Sequence, residues 1–257
     1  MDTDSRTQPI PQPPKAFMSW SGGKDASMAL WTARRAGLAD VRCLLTSVAS
    51  PSGRVSIHGV RAELLDAQAG SVGLPLVRAC IPDPCGMEAY ERTMEAVLGE
   101  MRGQGITHGI HGDLFLEDIR AYRDRQLARM GMRAIYPVWG RDTRRFIAEF
   151  LDAGFKAVLV CVDARRFDRS WAGREIDRDF LRDLPAGVDP CGENGEFHSF
   201  VYDGPIFRHP VRFHPGEVHE RTYKAPAKDH DADDTGIAAH HDTDTTVYFR
   251  DLLPVGR

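Results

Sequence analysis

Cysteine is scarce in this chain, five in 257 residues, and no two stand in C-x-x-C spacing. That argues against a disulfide framework or a zinc ribbon. Long hydrophobic runs are missing as well, and no stretch approaches the length of a membrane-spanning helix. Residues 1–15 are polar and proline-rich with no apolar centre, so they read as a disordered tail and not as a secretory signal. A cytoplasmic location is the expectation. Positive charge is not in excess: 33 Lys and Arg face 37 Asp and Glu, a net charge of −4. The arginines alternate with acids, as in Arg120-Ala121-Tyr122-Arg123-Asp124-Arg125, which is the pattern of a solvated helix face. A basic stripe that would grip nucleic acid is not evident, so nucleic acid is not the expected partner.

Two common phosphate-binding signatures are also lacking. Neither the Walker spacing nor the dinucleotide G-x-G-x-x-G fingerprint occurs. In their place stands Ser21-Gly22-Gly23-Lys24-Asp25, between an apolar run ending Met18-Ser19-Trp20 and a stretch of good helix formers, Ala26 to Ala36, closed by Gly37. Strand, glycine loop and helix together aim free backbone N–H groups and the positive helix end at an anion. Two glycines allow close approach, and Lys24 adds a full charge. The expected ligand is a nucleotide phosphate.

Downstream, apolar runs at Val41–Val48, Leu76–Ile81, Ile106–Ile110 and Ala134–Val138 alternate with helical patterns at Val60–Gly70, Glu88–Met101 and Leu116–Met130. Alternation of this kind predicts an α/β fold, a parallel five-stranded sheet with helices on both faces. Ligands of such sheets sit beyond the carboxyl ends of the strands, where the Ser21 loop lies. The rhythm changes near Gly140, which divides a domain at 16–140 that carries the phosphate loop from a smaller α+β domain at 141–257. In the latter, residues 225–244 are rich in Asp, His and Ala and read as a mobile loop. Val247-Tyr248-Phe249 reads as a closing strand paired with Val218–Tyr223.

A second unusual segment is Gly192-Glu193-Asn194-Gly195-Glu196-Phe197-His198. Asn194-Gly195 signals a turn, and the alternation beyond it predicts a strand that puts Glu196 and His198 on one face, roughly 7 Å apart. An acid beside an imidazole can hold an amine, accept a proton or orient a carboxylate. A hairpin with a polar outer face is the plain alternative.

The loop resembles the PP-loop, S-G-G-x-D-S, of the N-type ATP pyrophosphatases. Ser21, Gly22, Gly23 and Asp25 match, and Ala26 departs from the final Ser. Ser27 is a poor substitute, because one residue along a helix turns the side chain by roughly 100°. With the late G-E-N-G-E-F-H segment, Gly112-Asp113, Tyr136-Pro137-Val138-Trp139-Gly140 and Asp203-Gly204-Pro205-Ile206-Phe207, the chain is similar to the diphthine–ammonia ligase family, and closer to its bacterial branch. The resemblance implies an ATP-dependent amide ligase. ATP adenylates a carboxylate with release of pyrophosphate, and ammonia displaces AMP. Bacteria do not make diphthamide, so the acceptor of such a member differs.

On that basis Ser19, Ser21, Gly22, Gly23, Lys24, Asp25, Ser47, His58, Gly112 and Asp113 are the expected ATP contacts. Glu193, Asn194, Gly195, Glu196 and His198 are the expected acceptor contacts. Lys24, Asp25, Glu196 and His198 would carry the chemistry, with Glu196 or His198 as the base that neutralises ammonium. Asp25 and Asp113 would hold Mg²⁺. The partners are a carboxylate-bearing acceptor and ammonia, with no membrane; whether the chain is a homo-oligomer is left open. Alternative readings are a sulfur-transfer or tRNA-modifying PP-loop enzyme, and a module that senses adenine nucleotide without turnover. Asp-Pro-Cys-Gly occurs twice, at 83–86 and 189–192, so Cys85 and Cys191 could pair across a cleft. The C-terminal histidines fit no zinc spacing.

Overall fold

The first strand, Lys15–Ser19 (β1), is buried on both faces, and its alternation sorts the core in two. Ala16 and Met18 pack with Met28 and Leu30 of α1 (Lys24–Arg35). Phe17 turns the other way, among Met94, Leu98 and Met101 of α3 (Met87–Gly103) and Leu127 of α4 (Glu117–Arg129). A strand covered on both faces is apolar throughout, as expected of a parallel sheet. The computed structural model describes residues 12–50, 54–55, 59–82, 86–223 and 244–255.

Five strands run parallel in the order β4 (Leu76–Pro82), β2 (Asp40–Ser50), β1, β5 (His108–Ile110) and β6 (Arg133–Ile135). Helix α2 (Ala62–Val72) precedes β4. The anticipated parallel sheet is therefore present. The sequence pattern did not anticipate β3 (Arg54–Val55), which pairs antiparallel with Val48 and Ala49 of β2. Strand β2 outruns β1: Ser19 pairs with Leu45, whereas Ser47 lies opposite Ala79. That step at the carboxyl edge is where the chain leaves β1, with Trp20 N–H donating to Leu45 O at 2.7 Å.

The second sheet is antiparallel, in the order β8 (Phe197–Asp203), β7 (Lys156–Asp163), β10 (Thr245–Pro254) and β9 (Phe213–Tyr223). Helix α5 (Thr143–Asp152) buries Phe146, Ile147 and Phe150, and Asp142 caps it by accepting from Arg145 N–H at 2.9 Å. Phe150 stacks on Phe155 with centroids 4.9 Å apart, which seats the helix on the sheet. A short α6 (Arg178–Asp183) follows. One hydrophobic cluster runs from Met18 and Leu30 through Phe150 to Leu159 and Phe200, so the two sheets share a core.

Among the boundaries that differ from the sequence pattern, two bear on the site. Helix α1 starts at Lys24 and not at Ala26, because Gly23, extended at φ −89° and ψ 178°, serves as its N-cap. Strand β8 starts at Phe197, which leaves Glu196 in the preceding turn. The predicted loop at 225–244 lies almost wholly outside the described residues.

Candidate active site

The glycine loop is held from three sides. Gly22 has φ of 80°, a left-handed conformation that favours glycine, and a Cβ there would stand 2.7 Å from Gln68 Oε1. Its carbonyl accepts from Val201 N–H at 2.9 Å and from Gln68 Nε2 at 3.0 Å. Gly23 N–H reaches Ser21 Oγ at 3.3 Å, and Lys24 N–H donates to Ser199 Oγ at 3.2 Å. Strand β8 of the second sheet therefore docks directly on the loop. From the other side, a Cβ at Gly112 would lie 2.7 Å from the carbonyl carbon of Asp25, so only glycine lets the end of β5 rest on the first turn of α1. Ala26 is buried in that turn, while the Ser27 hydroxyl bonds back to Gly23 O at 2.9 Å. Ser27 does not replace the missing hydroxyl.

Lys24 does not extend into solvent. It is 4 % exposed, with Nζ 2.9 Å from Asp25 Oδ2 and 3.5 Å from Glu193 Oε1, and 5.7 Å above the Phe197 ring. Burial opposes its charge, but Asp25 and Glu193 outweigh that and hold the ammonium above its ordinary pKa. Asp25 is shifted up by burial against the pull of Lys24. Burial and the nearby Asp25 carboxylate push Glu193 up to about 8. The loop lysine thus joins one carboxylate from each half of the chain.

The Gly192–His198 segment divides its labour unexpectedly. Glu196, 4 % exposed, accepts from Asp189 N–H at 3.0 Å, Asn194 N–H at 2.9 Å and Asn194 Nδ2 at 3.1 Å. Both its oxygens therefore tie together their own turn. Asp189 is itself held by Thr143 Oγ1 at 2.7 Å and caps Cys191 N–H at 2.8 Å. Gly195, at φ 82°, makes the turn itself possible. His198 is half-buried on β8 opposite Cys161, and strand alternation sets it on the face away from Ser199. Strand β8 begins one residue later than the pattern predicts, so Glu196 belongs to the turn and His198 to the strand. Glu193, and not Glu196, is the carboxylate of this segment that meets the loop.

At the end of β5, Asp113 forms an ion pair with Arg123 of α4, Nε to Oδ2 at 2.9 Å. Beside them, His111 is buried between Phe17, at 6.0 Å edge-on, and Tyr136, at 5.6 Å. Neither of its ring nitrogens has a hydrogen-bond partner among the described residues. Burial, reinforced by Arg123, lowers its pKa well below that of an ordinary histidine, so the ring is neutral.

Two family descriptions match this chain in tandem. Residues 14–134 match the diphthamide synthase N-terminal domain, and residues 142–225 match the diphthamide synthase C-terminal domain. The chain belongs to this diphthamide-synthase-related family of PP-loop ATPases. Among curated relatives, a diphthine–ammonia ligase of Danio rerio is 26% identical over 215 residues, covering 73% of this chain and 82% of that protein. The Homo sapiens diphthine–ammonia ligase is 24% identical over 220 residues, 77% of this chain and 82% of that protein. A solved structure described as a predicted subunit of tRNA methyltransferase from Methanocaldococcus jannaschii covers 57% of this chain and 80% of that one at 16% identity. Its TM-score of 0.37 is too low to carry an argument.

The two carboxylates expected to hold Mg²⁺ differ in what they have left to offer. Asp25 Oδ1 is buried without a partner, while Asp113 is neutralised by Arg123. No cluster of three metal-ligating side chains occurs among the described residues. Such a set suits Mg²⁺ carried by phosphates and water, with one or two carboxylates from the protein. Ser19 and Ser47 flank the step between β1 and β2, both half-buried. His58 and Cys85 lie outside the described residues. Cys191 is buried and bonds Thr143 O at 3.2 Å, and burial raises its pKa, which keeps the thiol protonated. No helix among the described residues is long and apolar enough to cross a membrane. Sequence reasoning missed Gln68, Ser199, His111 and Arg123, which stand in ordinary helix and strand patterns with no local signal.

Proposed function

We propose that the chain is an ATP-dependent amide ligase that adenylates a carboxylate and passes it to ammonia. The observation that carries this reading is the meeting of Glu193 with Lys24 and Asp25 at the PP-loop. An acceptor-side carboxylate of raised pKa beside an ATP-side loop is what an amidating enzyme needs. The similarity to diphthine–ammonia ligases supports it.

In the first step a carboxylate oxygen attacks the α-phosphorus and pyrophosphate leaves. The N-terminal end of α1, with Lys24 beneath it, stabilises the charge gathered on the departing phosphates. Asp25 would hold the Mg²⁺, which would supply charge neutralisation at those phosphates. In the second step nitrogen forms its bond to the acyl carbon as the bond to AMP breaks. Ammonium must first lose a proton, and Glu193 accepts it in this reading. Glu196 and Asn194 hold the turn that presents Glu193, and His198 lies one strand position beyond Phe197. A carboxylate-bearing small molecule or modified protein side chain is the acceptor.

One observation favours a second reading, a nucleotide sensor without turnover: Ala26 leaves the position of the final PP-loop Ser without a hydroxyl, and the Ser27 hydroxyl is spent on Gly23 O. Incubation with ATP, Mg²⁺, ammonium and a panel of carboxylates separates the two. Acceptor-stimulated release of AMP and pyrophosphate, lost in Asp25→Ala, supports the ligase. Tight ATP binding with no pyrophosphate under any condition supports the sensor.

A further inference from the structure

The side-chain amide of Gln68, on α2, is fully buried and reaches three groups of the loop and its neighbours. Oε1 accepts from Trp20 Nε1 at 2.9 Å, and Nε2 donates to Gly22 O at 3.0 Å and to Val201 O at 2.6 Å. The orientation of the amide follows from chemistry. An indole N–H can only donate, so the oxygen must face Trp20 and the nitrogen must face the two carbonyls.

The consequence lies in the peptide that joins Gly22 to Gly23. Gln68 Nε2 and Val201 N–H together occupy both acceptor positions of the Gly22 carbonyl. In a planar trans peptide the carbonyl and the following N–H point in opposite directions. Holding the Gly22 oxygen inward therefore turns Gly23 N–H to the opposite side, at the end of α1, where it meets only the Ser21 hydroxyl at 3.3 Å, a long contact that an anion would displace. Glycine rotates easily, so this peptide could otherwise flip and present its oxygen to the phosphate.

We infer that Gln68 is the orientation lock of the phosphate loop, a positioning residue that touches no nucleotide yet sets the loop's affinity for it. The inference rests on the reading of the loop as a nucleotide-phosphate site. The same amide holds Val201 of β8, which continues into the turn that carries Glu193. Loop geometry and acceptor-side geometry are thus registered on one side chain.

The test measures binding of α,β-methylene-ATP with Mg²⁺ by titration calorimetry to the full chain, wild type, Gln68→Leu and Ser71→Ala. Ser71 is the control: it lies on the same helix and is equally buried, and it ties α2 to His209 without touching the loop. Gln68→Leu is expected to weaken the nucleotide by at least about tenfold, a loss typical of an oriented charged-group hydrogen bond. Ser71→Ala should leave affinity within about twofold even where its urea midpoint falls as far. Should Gln68→Leu fail to fold, Gln68→Met keeps an unbranched chain of similar length and carries the same comparison. Equal affinity in the Gln68 variant and wild type, or an equal loss in Ser71→Ala, overturns the inference. A wild type that binds no nucleotide overturns the phosphate-loop reading itself.

Discussion

Glu193 Oε1 stands 3.5 Å from Lys24 Nζ, and through that contact the turn before β8 meets the loop after β1. Neither residue is exposed enough for water to do the neutralising: their side chains are 10% and 4% accessible. A buried ammonium shared by two carboxylates is costly to disturb, since removing one partner leaves the others with uncompensated charge.

Glu193→Gln is expected to leave nucleotide binding largely in place and to lower acceptor-dependent turnover by about 100-fold, the contribution typical of a general base. It should also flatten the pH dependence of stability. Burial raises Glu193 from its usual 4.5 to about 8. The protonated form is favoured by folding, so this contribution is complete below 4.5 and is lost as pH rises to about 8. Urea midpoints of wild type and variant between pH 5 and pH 9 measure the difference. A wild-type midpoint that does not fall more than the variant's contradicts the assignment.

Glu196→Ala removes three hydrogen bonds from its own turn and leaves Asp189 and Asn194 N–H groups without their acceptor. A loss of about 2–4 kcal/mol is expected. Turnover should fall with it, because the turn presents Glu193. Chemical denaturation read beside nucleotide affinity distinguishes this from a base: ATP binding that collapses without loss of stability would place Glu196 at the nucleotide instead.

His111→Phe should stabilise the nucleotide-free chain by about 1–2 kcal/mol, since it removes a buried ring with two unpaired nitrogens. Its folded pKa lies well below 6.5, so wild-type stability that is present above 6.5 is lost as pH falls. The variant should lose less between pH 6.5 and pH 5, measured by thermal denaturation. A destabilised variant would show that the imidazole is satisfied.

Gly112→Ala would drive a methyl to within 2.7 Å of the Asp25 backbone. Overpacking of this kind costs about 1–3 kcal/mol. Because the contact is on the first turn of α1, nucleotide affinity should fall at least about tenfold alongside. Gly140→Ala, with open space around it, is the comparison for methyl volume alone, although its φ of 71° adds strain.

The parallel sheet was legible because its evidence is local. Apolar runs and helical periods state which strands are buried on both faces, and parallel order follows from the helices between them. The loop was legible for the same reason: Ser21 to Asp25 form a contiguous motif at a strand-to-helix turn. The placement of Glu196 in a turn was not, because alternation assumes a strand already begun. Glu196 instead satisfies the N–H groups of Asp189 and Asn194, a competition that side-chain acceptors often win at turns.

By itself the sequence determined the layering of the fold, the position of the phosphate loop and the segment that accompanies it. Those follow from residues close together in the chain, where propensity and periodicity act. Only the tertiary structure decided which acid reaches Lys24, that Gln68 holds the Gly22 carbonyl, and that Arg123 neutralises Asp113. Those are long-range contacts in a buried region, where desolvation makes each charge and each amide seek whichever partner packing brings within reach.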